Sequence, residues 1–304
     1  MIYVLPKVKQ KMLAEHLMKG FLANGDTVRF YNYTPDYAVK TQYKELADVD
    51  LAVMIGGQSF EIYKNCSQRV PTLFVDKVYV GRRDFYRMVL NGHIPQYLGH
   101  LQESAKVATS IFTGSLEKSG VDLHPRRIGG AYIIYCGSSQ AYCTYHGLGD
   151  ALKYDKMICD TLNEIVQGRK EIVYRMKSSL VLRDKLKRYT IPLILPDKVT
   201  YSGPDEKLAE LLPDCHCLVT YGSNAATEAL AAGVPAVVLS PKGINPVWSI
   251  AETDITNVMR PRWPSDDERF ALLSALTRVQ FSVDDIASGY AWSNIKPWLG
   301  VIAA

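Results

Sequence analysis

Residues Cys217–Pro241 read CLVTYGSNAATEALAAGVPAVVLSP. The apolar run before Tyr221 predicts a strand, Tyr221-Gly222-Ser223-Asn224 a sharp turn, and the Ala-rich stretch a helix. Gly233-Val234-Pro235 ends that helix before a second apolar strand. Strand, turn, helix, strand is the repeating unit of a parallel sheet covered by helices. The turn puts small polar groups at a helix N-terminus, where backbone N–H groups and the helix dipole favour an anion. Glu228 follows one turn later, a carboxylate able to accept from two vicinal ribose hydroxyls. The same residue types also make a plain helix cap, so the turn by itself leaves both readings open.

The pattern recurs on both sides of this stretch. Ile2–Leu5, Thr27–Tyr31, Val49–Ile55 and Pro71–Val75 read as strands, with a helix predicted from Val8 to Ala23. Residues from about Val80 to Gly130 are less regular, with aromatic, basic and Gly-rich pieces. Gly129-Gly130 reads as a hinge. Beyond it, Ala131–Cys136, Glu171–Arg175 and Val199–Ser202 read as strands, Tyr154–Gln167 as a helix, and Asp266–Val279 and part of Val283–Leu299 as closing helices. A chain of 304 residues is long enough for about two domains of this kind. The first strand is followed by no GxGxxG, so the dinucleotide fingerprint is missing there.

In an open parallel sheet, ligands bind outside the carboxyl ends of the strands. The second half of the chain has polar punctuation at each such end. Gly137, Ser138 and Ser139 follow one strand, Arg175 and Lys177 another, and Tyr221, Gly222, Ser223 and Asn224 a third. Glycine and serine permit close approach to phosphate oxygens, and Arg175 can pair a diphosphate bidentately.

Composition narrows the classes. Hydrophobic residues make up 47% of the chain and charged residues 22%, ordinary for a soluble globular protein. No run approaches the roughly 18–20 apolar residues of a membrane span, and MIYVLPKVKQ reads as a core strand and not a leader. The six cysteines form no CxxC pair, and Cys215-His216-Cys217 would point its imidazole away from its sulfurs on a strand. Buried free thiols in a reducing cytoplasm are the expectation, with no metal site. No DxD stands in a plausible loop, and Asp266-Asp267 reads as a helix start. The net charge of +4 is too small to require a nucleic acid, but Arg82-Arg83 with Arg87, Arg126-Arg127 and the bases from Arg183 to Arg188 permit an acidic substrate.

The segment GSNAATEALAAGVPAVVLSP resembles the donor-binding segment of GT-B glycosyltransferases. That resemblance implies an α/β fold of two Rossmann-like domains facing across a cleft, with a UDP-sugar as donor substrate and no cofactor required. It implies that Gly222, Ser223 and Asn224 hold the diphosphate and Glu228 the ribose, with Gly137, Ser138, Ser139, Arg175, Lys177 and Tyr221 completing the donor side. The expected domains are 1–129 for the acceptor and 130–280 for the nucleotide sugar, with 281–304 a helical tail packing back towards the first. FYRMVLNGHIPQ and the tail FSVDDIASGYAWSNI are similar to glycosyltransferase-like proteins of tailed phages, some of which modify hydroxymethylated bases. This implies a hexosyltransferase acting on a hydroxymethylated pyrimidine in double-stranded DNA, in the cytoplasm of a phage host. Arg82, Arg83, Arg87 and Asn91 are then candidates for the acceptor side. Transfer needs a general base, for which Asp76, ending the strand TLFVD, comes first, followed by Asp84 and His93 in the irregular stretch. The alternatives are a UDP-sugar 2-epimerase-like enzyme and a non-enzymatic nucleotide- or DNA-binding protein on the same fold.

Overall fold

The computed structural model describes residues 2–5, 11–30, 49–56, 70–92, 99, 101, 109–177, 199–202 and 206–299. The chain divides into two compact units: Met1–Val121 with Ser274–Ala304, and Asp122–Leu273. Each unit is a sheet covered by helices, the two Rossmann-like α/β layers expected.

The first unit holds β1 (Ile2–Leu5), α1 (Lys11–Ala23), β2 (Val28–Phe30), β3 (Leu51–Ile55), β4 (Thr72–Lys77), β5 (Tyr86–Leu90) and α2 (Thr109–Lys118). Its sheet order is β11-β5-β4-β3-β1-β2, where β11 is the two-residue strand Gln280–Phe281. Strands β1 to β4 pair in parallel, but β5 runs antiparallel to β4 and β11 antiparallel to β5. The irregular region expected after Val80 therefore contains a regular strand. Its apolar run is interrupted by Arg87, which masks the pattern, yet Arg87 is itself buried in the structure.

The C-terminal residues complete this unit. Helix α7 (Asp266–Thr277) leads to β11, then to α8 (Val283–Ala287) and α9 (Tyr290–Ile295). A single closing helix is broken in two at Gly289, whose φ of +86° suits glycine. Helix α8 starts with a reciprocal Ser282–Asp285 capping box. It approaches α1 so closely that a side chain at Gly20 would collide with the Ile286 carbonyl. Trp292 lies edge-on to Phe21 with ring centres 5.0 Å apart, and its indole N–H donates to Asp26 at 2.7 Å.

The second unit holds β6 (Tyr132–Cys136), α3 (Gln140–Tyr145), α4 (Ala151–Val166), β7 (Glu171–Arg175), β8 (Val199–Ser202), α5 (Leu208–Leu211), β9 (Cys215–Thr220), α6 (Ala225–Ala231) and β10 (Ala236–Val238). Its sheet is fully parallel, in the order β10-β9-β6-β7-β8. Alternate residues Ile133, Tyr135, Ile172, Tyr174, Cys217 and Val219 meet the buried stripe of α4, including Ile158, Leu162 and Val166. Asp150 caps α4 by accepting from the Lys153 N–H at 2.9 Å. Cys136, Cys143, Cys159, Cys215 and Cys217 are all free and buried. Among the described residues no helix is long and apolar enough to cross a membrane.

Candidate functional site

At the carboxyl edge of the second sheet, β6 lies between β9 and β7. The turn after β9 and the end of β7 are thus two strand spacings apart, about 10 Å, with the Gly137–Ser139 loop between them. Arg175, the last residue of β7, is partly exposed and donates from Nη1 to the Ser202 hydroxyl at 3.1 Å. Lys177 is exposed two residues on. On α6 the six other residues are buried, and Glu228 alone among them is exposed. Burial pushes the Cys136 thiol, at the end of β6, up to about 12, and that thiol also feels the charges of Arg175, Glu228 and Lys177.

The turn after β9 is tied up within itself. The Thr220 hydroxyl donates to the Cys136 carbonyl at 2.9 Å and accepts from the Ser223 N–H at 3.2 Å. The Ser223 hydroxyl accepts from the Ala225 N–H at 3.3 Å, and the Ser223 carbonyl accepts from Ala226 N–H and from the Asn245 side chain. Asn224 occupies the N-cap position in helical conformation and makes no side-chain cap bond. Helix α6 has only seven residues, so its dipole is short. This edge thus offers an anion its side chains more than its turn amides.

Gly222 is a glycine for a reason the sequence hides. A side chain there would collide with the Tyr142 hydroxyl, which α3 brings over the turn. Tyr142 was missed in the sequence because nothing local marks it; its partner lies eighty residues on. Its ring packs 4.4 Å from His146 and 6.1 Å from Tyr221, measured between ring centres. Tyr221 is buried in this cluster, edge-on to Tyr154 at 5.9 Å. Burial lowers the His146 pKa, keeping the imidazole neutral near pH 7. Ser139 caps α3 by accepting from the Tyr142 N–H at 3.3 Å. Gly137 instead abuts a buried acid, Asp155, which nothing local in the sequence marks as part of this edge. It stands on the apolar stripe of α4 among Ala151, Ile158 and Cys159, and an acid at such a position was the available signal.

In the first unit the candidates separate. Asp76 and Arg87 face each other on β4 and β5 and form an ion pair at 3.2 Å. The Arg87 side chain is only 8% exposed, its guanidinium 4.4 Å from the Tyr79 ring centre and 5.8 Å from that of Phe74. Its Nε has no hydrogen-bond partner. Arg87 is part of the core and presents no charge to a phosphate. Burial raises the Tyr79 hydroxyl to about 12, keeping it neutral beside the cation. Arg82 and Arg83 are exposed in the turn between β4 and β5, where Arg82 pairs with Asp84 at 2.7 Å. Asn91 lies at the other end of the sheet. It has φ of +53°, and its Oδ1 accepts from the Thr72 N–H at 2.7 Å, where β4 begins. Four residues of strand, about 13 Å, separate it from Asp76. His93 and the bases from Arg183 to Arg188 lie outside the described residues. Among the described residues no group of three or more His, Cys, Asp or Glu could hold a metal ion.

No family model matches the chain, and no curated protein matches it. Solved structures do. The Thermosulfurimonas dismutans KpsC beta Kdo 2,4 transferase is 14% identical with a TM-score of 0.50, over 90% of this chain and 89% of that one. The KpsC beta Kdo 2,7 transferase of the same organism is 11% identical with a TM-score of 0.49, over 97% and 99%. A co-structure of Staphylococcus aureus MnaA with UDP is 12% identical with a TM-score of 0.35, over 100% and 97%. At these identities the likeness establishes a shared fold alone, the GT-B type built of two Rossmann-like domains, and it rests on the first of the three.

Proposed function

We propose that the protein is a glycosyltransferase that takes a hexose from a UDP-sugar and transfers it to a hydroxymethylated pyrimidine of double-stranded DNA. The observation that carries the donor half is the carboxyl edge of the second sheet, where Arg175 ends β7, exposed Lys177 follows it and Glu228 is the one exposed residue of the helix after β9. Two cations suit a diphosphate and an exposed carboxylate suits ribose hydroxyls. The Gly137–Ser139 loop between them supplies small polar groups, and the Tyr142 hydroxyl over Gly222 is a further donor. The fold is shared with a protein itself named a transferase.

In the reaction, the acceptor hydroxyl attacks the anomeric carbon, the bond to the diphosphate breaks, and UDP leaves with the electron pair. Arg175 and Lys177 stabilise the charge that develops on the leaving diphosphate, so neither metal nor cofactor is needed. Asp76 receives the acceptor proton. Arg87 acts on it as a positioning residue, holding the carboxylate through the 3.2 Å ion pair. Arg82 and Arg83 are the exposed bases available to a DNA backbone. The DNA reading rests on the likeness of the segment around β5 and of the tail to phage glycosyltransferase-like proteins. That source places the enzyme in the host cytoplasm.

The test is incubation with a panel of UDP-sugars and DNA carrying hydroxymethyluracil or hydroxymethylcytosine, followed by nucleoside mass spectrometry. A hexose adduct on one nucleoside is expected. UDP release with unchanged nucleosides would overturn the acceptor, and UDP-sugar left intact with every acceptor would overturn the transferase.

A further inference from the structure

The glycine in the turn after β9 answers to a side chain from another element. Gly222 has no left-handed φ, so its backbone alone does not demand glycine. A Cβ at Gly222 would collide with the Tyr142 hydroxyl and lie within 2.8 Å of two carbons of its ring. The phenol is therefore seated directly on the Gly222 backbone.

Several contacts hold Tyr142 in that place. Helix α3 leaves β6 through the Gly137–Ser139 loop and carries Tyr142 to the turn after β9, the neighbouring strand. Ser139 caps this helix by accepting from the Tyr142 N–H at 3.3 Å, and Cys143, the next residue, is fully buried. Gln140 fixes the same helix to the start of α4. It donates to the Gly149 carbonyl at 3.0 Å and accepts from the Ala151 N–H at 2.9 Å. The Tyr142 ring packs against His146, one turn on, and against Tyr221, with ring centres 4.4 Å and 6.1 Å away. Tyr142 is nevertheless only half-buried.

The turn beneath it has spent most of its own donors. The Thr220 hydroxyl takes the Ser223 N–H, and the Ser223 hydroxyl takes the Ala225 N–H. The Ala226, Thr227 and Glu228 amides bond to the Ser223 and Asn224 carbonyls. A phenol O–H can rotate and donate to an anionic oxygen, a charge-assisted bond about twice as strong as a neutral one. An oxygen that approaches Gly222 from the side of α3 meets this hydroxyl before it meets the backbone.

We propose that Tyr142 binds the donor's diphosphate at this turn, its hydroxyl donating to a phosphate oxygen in place of the Gly222–Asn224 amides, with Gly222 as the socket that seats it. The claim rests on the donor-site reading above and names the residue that makes the contact. It reassigns Gly222 from a phosphate ligand to a steric role.

Calorimetry with UDP and with uridine, on the full chain, separates the phosphates from the rest of the ligand. Tyr142→Phe keeps the ring and its packing and removes the hydroxyl. UDP affinity should fall about tenfold while uridine affinity stays unchanged, because uridine carries no phosphate. Gly222→Ala should push the Tyr142 ring off the turn and weaken UDP by a similar factor. In a Tyr142→Ala background nothing is left to collide, so adding Gly222→Ala should change UDP affinity by less than about twofold. Unchanged UDP affinity in Tyr142→Phe would overturn the proposal, and so would a loss that uridine shares. A Gly222→Ala loss that persists in the Tyr142→Ala background would also overturn it, because the turn itself would then be the ligand. Should Gly222→Ala fail to fold, Tyr142→Phe still decides. Failure of the parent protein to bind UDP even at millimolar concentration would instead overturn the donor-site reading on which the proposal rests.

Discussion

The two sheets treat their charged residues in opposite ways. At the carboxyl edge of the second sheet, Arg175 is partly exposed and Lys177 and Glu228 are exposed. At the matching edge of the first, Arg87 is buried between two aromatic rings and is paired with Asp76, which is 28% exposed. One edge leaves its charge exposed, and the other uses its charge to complete the fold. The proposed donor side is for that reason chemically more explicit than the proposed acceptor side. A charged side chain consumed by the core cannot also be spent on a substrate.

That contrast can be broken most forcefully at Arg87. Arg87→Ala removes the packing between Tyr79 and Phe74 and leaves Asp76 without its cation, so a loss of about 3 kcal/mol is expected in denaturant unfolding. A variant that melts like the parent protein would show that the first edge is as free as the second. Glu228→Ala should do the opposite. It should weaken UDP-sugar binding by about tenfold, roughly 1.4 kcal/mol, and leave unfolding unchanged because the side chain is exposed. Unchanged calorimetric affinity would remove the ribose assignment. The smallest effect belongs to Arg83→Ala. If Arg83 touches a DNA phosphate, the slope of log affinity against log salt should drop by about one, so that the loss of affinity is largest at low salt and shrinks as salt rises. An identical slope would take this turn out of the acceptor surface.

Legibility followed the same divide. The second sheet could be read because each parallel strand is a short apolar run punctuated by Gly, Ser or a base, and that periodicity is local. Its edge residues were readable for the same reason. What lay hidden there depends on distant pairs: Tyr142 over Gly222, and Asp155 under Gly137. In the first sheet β5 was obscured because a buried cation stands inside its apolar run. Strand β11 was obscured because two residues carry no period at all. Asn91 stands in a stretch that reads as irregular and was grouped there with Arg82, Arg83 and Arg87; β5 is antiparallel to β4, which carries Asn91 to the other end of the sheet.

The division of the chain has a consequence for synthesis. The second unit is one continuous stretch, Asp122–Leu273, while the first needs β11, α8 and α9, which follow that stretch. On the ribosome β1 to β5 emerge well before β11, which lies beside β5, and before the Trp292 anchor on Phe21. The later-made unit can therefore finish folding before the earlier one. Meanwhile the exposed edge of β5 and the bare face of α1 are the surfaces a nascent-chain chaperone would meet.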